Sequence, residues 1–167
     1  MRKWKGSPGV TLMELCFGIA VVAILATIAA PSLHSAARAA AVRSAVYELA
    51  AAMQQTRAIS IVQARTGVFC LSDATGHCLA GADSSKAWAA YLQVDGQQRP
   101  IGGQVLATGL VLRATRAQLN FWPDARAAST GTLIVCDSQG IAHPRALILS
   151  QGGRVRQAAA DDRDCGA

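Results

Sequence analysis

The sequence predicts an α+β chain in which one long N-terminal helix, membrane-spanning in its first half, packs on an antiparallel β-domain of two small sheets. Three observations carry that prediction. Residues 15–37 hold no charged side chain. A helical apolar period then continues to about Arg65. Beyond it, short apolar segments alternate with turn signals. Hydrophobic residues make up 51% of the chain but aromatics only 5%. Alanine and aliphatic residues therefore supply most of the apolar content, which suits an Ala-rich helix joined to a modest β-core. A length of 167 residues accommodates one domain and an appendage.

Arg2, Lys3 and Lys5 open the chain. The stretch from Leu15 to Leu33 reads LCFGIAVVAILATIAAPSL. A bilayer core of ~30 Å needs ~20 apolar residues in a helix, so this run is long enough to span it. Positive flanks stay cytoplasmic, which places everything after about His34 in the periplasm. An ordinary signal peptide would carry a small-residue cleavage site after the run, and the Ala-rich stretch near Ala36 imitates one. Three features oppose that reading. The run exceeds a usual signal core, Glu14 stands at its start where a carboxylate in lipid is costly, and the helical pattern does not stop. Val42, Val46, Leu49, Met53 and Ser60 recur at helical spacing, with Arg38, Arg43, Glu48 and Arg57 between them.

After Arg65 the period becomes strand-like, with strands expected over 68–71, 88–94, 110–113, 119–122, 132–136 and 146–149. Turn signals separate them: Asp73-Ala74-Thr75-Gly76, Asp95-Gly96, Gly102-Gly103, Trp122-Pro123-Asp124, Asp137-Ser138-Gln139-Gly140 and Gln151-Gly152-Gly153. The boundaries are a leader over 1–9, a transmembrane helix over 10–36, its amphipathic continuation over 37–65, and a β-domain with a C-terminal tail over 66–167.

The formal charge of +6 falls by three, to +3, without the leader's cations, so net charge argues little about nucleic acid. Cys16 sits in the apolar run and reads as a small hydrophobe. Cys70, Cys78, Cys136 and Cys165 are an even number beyond a membrane segment, where disulfides persist. A zinc site is the rival, but no short Cys-x-x-Cys or His spacing supports it. No Gly-x-Ser-x-Gly, His-Glu-x-x-His or phosphate loop occurs, and His34, His77 and His143 are scattered, so neither enzyme activity nor a metal or other cofactor is expected.

One constellation has binding chemistry. In an extended Gly153-Arg154-Val155-Arg156 segment, Arg154 and Arg156 point the same way, ~6.5–7 Å apart. Guanidinium forks fit phosphate oxygens, and the glycines let the backbone turn and approach a ligand. Arg145 and Arg163 would extend the patch, whereas Asp161, Asp162 and Asp164 would offset it. The alternative is an edge-strand pair of solvated arginines that keeps sheets from aggregating.

Gly9-Val10-Thr11-Leu12-Met13-Glu14-Leu15 resembles the prepilin peptidase site of type IV pilins and type II secretion pseudopilins. The resemblance implies cleavage between Gly9 and Val10, methylation of the new amine, and Glu14 as the glutamate that pairs with the amine of a neighbouring subunit during assembly. Val10 stands where phenylalanine is common, and Met13 where isoleucine is. Pro31 falls where the family often has a helix-kinking proline.

The β-domain resembles the GspH/FimT group through the Cys70…Cys78 hairpin, Trp88 with the 91–95 strand, Asn120-Phe121, the 131–137 segment and the closing 146–156 segment. In FimT-type minor pilins a Gly-Arg-x-Arg tail binds DNA during natural transformation, which implies double-stranded DNA as a partner beside other pilin subunits, the prepilin peptidase and the bacterial inner membrane. The rival implication is a structural tip pseudopilin of a type II secretion system. Cys70 and Cys78 enclose a short turn and are expected to pair, leaving Cys136 for Cys165. The other two of three possible pairings stay open.

Overall fold

The computed structural model describes residues 9, 11–81, 84–124 and 128–166. Arg2, Lys3, Lys5 and Val10 lie outside them. Two compact units divide the chain, Met1–Ala36 and Ala37–Ala167.

Helix α1 spans Leu12–Val62. Thr11 caps it: the Glu14 N–H donates to Thr11 Oγ1 at 3.2 Å, satisfying one of the donors that a helix start leaves open. Within the first unit the helix is apolar on every side, with Leu15, Phe17, Ile19, Val22, Leu25, Ile28 and Leu33 exposed. Its hydroxyls bond inward, Thr27 to the Ile24 carbonyl at 2.7 Å and Ser32 to that of Ala29 at 2.8 Å. The helix is long and apolar enough to cross a membrane. Pro31 lies inside it and withholds one backbone donor.

In the second unit the helix buries Val42, Ala45, Val46, Leu49, Met53, Thr56 and Ser60, one stripe at helical spacing. It ends earlier than the sequence predicts. Ala64 turns left-handed at φ 50°, the Ala64 N–H donates to the Ile61 carbonyl at 3.3 Å, and that of Arg65 to the Ser60 carbonyl at 3.1 Å. This is a Schellman closure, ordinarily built on glycine.

Among the described residues nine strands follow: β1 Gly67–Ser72, β2 Ser84–Ser85, β3 Ala87–Val94, β4 Gln97–Val105, β5 Leu110–Ala114, β6 Gln118–Phe121, β7 Gly131–Asp137, β8 Arg145–Leu149 and β9 Val155–Ala159. They form a four-stranded sheet ordered β4-β3-β1-β6 and a five-stranded sheet ordered β2-β5-β7-β8-β9, with every pairing antiparallel. The helical stripe, Phe69, Leu71, Phe121, Leu112, Leu133, Leu147 and Leu149 share one core. Each fully buried aliphatic side chain there contributes about 1.5–3 kcal/mol.

Asp95 and Gly96 both take positive φ, 49° and 81°, the left-handed pair that a two-residue hairpin between β3 and β4 requires. Gly102 and Gly103, expected in a turn, instead lie inside β4 opposite Ala90 and Ala89. Their smallness serves close packing. A Cβ on Gly103 would stand 3.0 Å from the Trp88 carbonyl oxygen.

Candidate anion-binding edge

Strand β9 ends the five-stranded sheet, so one of its edges is unpaired. It pairs with β8 in a register that sets Val155 opposite Leu149, Arg156 opposite Ile148 and Gln157 opposite Leu147. Leu147 and Leu149 face the core, and alternation turns Ile148 and Arg156 to the other face. Arg154 precedes the strand, in the turn that leads into it, and an extended backbone there would carry its side chain to the same side as that of Arg156. Both arginines are exposed, and among the described residues neither meets a carboxylate.

A tight turn delivers them. The Gly153 N–H donates to the Ser150 carbonyl at 2.8 Å, and the Ser150 N–H to the Arg154 carbonyl at 3.1 Å. Arg154 donates its own N–H to Ser150 Oγ at 3.2 Å. Gly153 has φ 71°, a conformation that favours glycine, and is buried against the helix. Arg57 of α1 donates from Nη1 to the Gly153 carbonyl at 3.0 Å. Its guanidinium lies so near that a Cβ on Gly153 would stand 2.7 Å from Nε. The turn sits between the sheet edge and α1, beside an open cleft lined by Gln54, Arg57, Ile61, Arg154 and Val155.

The structure separates the other two cations from this pair. Arg145 lies opposite Ala159, three positions along β8 from Ile148, and alternation puts it on the core-side face. Arg163 belongs to a short 3-10 helix, Asp162–Cys165, and, although exposed, pairs with Asp161, with Nη2–Oδ2 at 2.7 Å and Nε–Oδ2 at 3.3 Å. That pairing raises the Arg163 pKa and lowers that of Asp161.

The tail is tethered by the Cys136–Cys165 disulfide, and Cys70–Cys78 closes the loop after β1. Cys16 is free and exposed. His77 Nδ1 lies 2.8 Å from Thr75 Oγ1, while His143 is 3.8 Å from Asp162. Among the described residues no group of His, Cys, Asp or Glu could hold a metal ion.

A buried ion pair escaped the sequence reading. Arg38 of α1 pairs with Asp137 at the end of β7 and also donates to the carbonyls of Thr108 at 3.0 Å and Gly109 at 2.8 Å. Asp137 further accepts the N–H groups of Gln139, Ile141 and Ala142 at 3.1, 3.2 and 3.1 Å. Bonded chiefly to the Arg38 guanidinium, its carboxyl is held down at about 2. With its acceptors so engaged, this pair is structural and not a binding site.

The model of the family described as "Type II transport protein GspH" matches residues 45–153. The fold is similar to the type IV minor pilin FimU of Pseudomonas aeruginosa, with a TM-score of 0.53 and 20% identity over 70% of this chain and 87% of that one. It is also similar to the minor pseudopilin EpsH of the type 2 secretion system of Vibrio cholerae, with a TM-score of 0.56 and 11% identity over 71% of this chain and 96% of that one. No curated protein matches the sequence.

Proposed function

The chain belongs to the GspH family of type II transport proteins and is a minor pilin or pseudopilin of that type, and from that premise we propose that it is a minor type IV pilin that binds double-stranded DNA during uptake. The observation that supports this reading is the exposed pair Arg154 and Arg156 on an unpaired sheet edge, free of carboxylate partners among the described residues. Two guanidinia on one extended segment offer bidentate contacts to successive phosphate oxygens. Phosphate contacts carry no sequence information, so the recognition proposed is of backbone charge.

The rest of the life cycle follows from the N-terminal motif. A prepilin peptidase cuts between Gly9 and Val10, and the new amine of Val10 is methylated. Until assembly the helix anchors the subunit in the inner membrane, with the β-domain in the periplasm. In the filament Glu14 pairs with the amine of a neighbouring subunit, which relieves the cost of a carboxylate among apolar helices. Pro31 loosens the helix locally.

A structural tip subunit of a secretion pseudopilus is the second reading. The family's description and the aspartates of the tail favour it. A gel-shift with the full chain in neutral detergent separates the two. The uptake reading expects two duplexes of unrelated sequence to shift alike at low salt. No shift at low salt would end it.

A further inference from the structure

The geometry points to Arg57 as the residue that positions the DNA-contacting turn, by fixing the peptide plane from which Arg154 departs; this rests on reading Arg154 and Arg156 as phosphate contacts. The carbonyl that Arg57 Nη1 holds at 3.0 Å is that of Gly153, which belongs to the same peptide unit as the Arg154 N–H. Rotation of that peptide would break the Arg57 bond and also the bond from the Arg154 N–H to Ser150 Oγ at 3.2 Å. Both sides of one peptide plane are therefore restrained, and with them the direction of the Arg154 side chain.

The contact also accounts for glycine at 153. That residue needs a left-handed backbone, at φ 71°, and any Cβ there would press on Arg57 at Nε, 2.7 Å away, and at Cζ, 2.9 Å away. Gln151 secures the turn from another direction, its carbonyl accepting the Ala128 N–H at 2.8 Å. Glycine leaves the chain otherwise permissive at 152 and 153. A mobile turn would scatter Arg154 over many directions, and ordering it on binding would weaken affinity. Arg57 removes that loss before DNA arrives. A lysine in its place keeps the charge but lacks the planar guanidinium that lies close to Gly153 and reaches its carbonyl.

The test uses the full chain in neutral detergent, a short duplex, and the variants Arg57→Lys and Arg57→Gln. Both variants are expected to weaken binding about tenfold, the scale of one charge-assisted hydrogen bond. In a background of Arg154→Gln with Arg156→Gln, the same Arg57 changes should cost about twofold or less, because the two sites act as one. The amide resonances of Gly153 and Arg154 should move in Arg57→Lys while those of the four-stranded sheet stay in place. Unchanged affinity and unchanged resonances in Arg57→Lys would overturn the inference. So would a tenfold loss that persists in the double-Gln background, since Arg57 would then act without Arg154. If the starting chain binds no DNA even at low salt, the uptake reading falls, and the Gly153 and Arg154 resonances alone decide the role of Arg57.

Discussion

Arg38 and Asp137 stand 99 residues apart, and nothing local to either announces the other. In the sequence Arg38 is one of several charges on the polar side of an amphipathic helix. It becomes a clamp only because the β7 end is brought beside α1. Breaking such a pair leaves one charge without its partner, so Asp137→Asn and Arg38→Gln should each destabilise the domain, Arg38→Gln more because it strands the buried carboxylate. Their combined cost should fall short of the sum, which a double-mutant cycle by urea unfolding would measure. Folding lowers the Asp137 pKa from 3.8 to about 2. The pair's stabilisation is therefore complete above about pH 5 and is lost as pH falls through 2, a change of about 2 kcal/mol. Acid titration of unfolding that shows a flat profile from pH 4 to 2 in the starting chain would refute this. Arg154 and Arg156, by contrast, are legible from spacing alone, since a period of two needs only an extended chain. Arg145 and Arg163, the possible extensions of that patch, differ from the pair in what spacing cannot show: register sets Arg145 opposite Ala159, and Asp161 holds the Arg163 guanidinium.

At the scale of elements, periodicity served best where one face is buried and the other is not. The stripe Val42, Val46, Leu49, Met53 and Ser60 is buried as its spacing implies, and six strands lie close to their expected places. Strand β4 was missed because its nine residues carry no alternation: eight are exposed and Ile101 is half-buried. Its glycine pair looks like a turn unless the Trp88 strand beside it is known. The helix end was missed for a related reason, since the left-handed closure falls on Ala64 and not on a glycine. That position yields a sharp expectation. Ala64→Gly should stabilise the domain by up to about 1 kcal/mol by removing the strain of a Cβ at positive φ, read as a higher urea midpoint. A lower midpoint would mean that the closure is not formed. The Cys136–Cys165 link, spanning 29 residues, should contribute ~3–4 kcal/mol in the chain-entropy picture. Replacing both cysteines by serine should lower stability by that amount, and an unchanged midpoint would show that the link does not constrain the unfolded chain.

At the scale of the whole molecule, the family assignment and the DNA role rest on different parts of the chain. Mass spectrometry of the mature protein should find Val10 as a methylated N-terminus, and a start near Ala36 would instead indicate an ordinary signal peptidase. That result leaves the tail untouched. The proposed uptake role turns on Arg154 and Arg156, and the salt dependence of binding tests it most directly. Each phosphate contact releases condensed counterions, so the slope of log affinity against log salt reports how many contacts are made, at ~0.9 per contact. Changing both arginines to glutamine should lower affinity for every duplex alike and flatten that slope by ~1.8, with circular dichroism unchanged. An identical slope before and after the substitution would contradict the account.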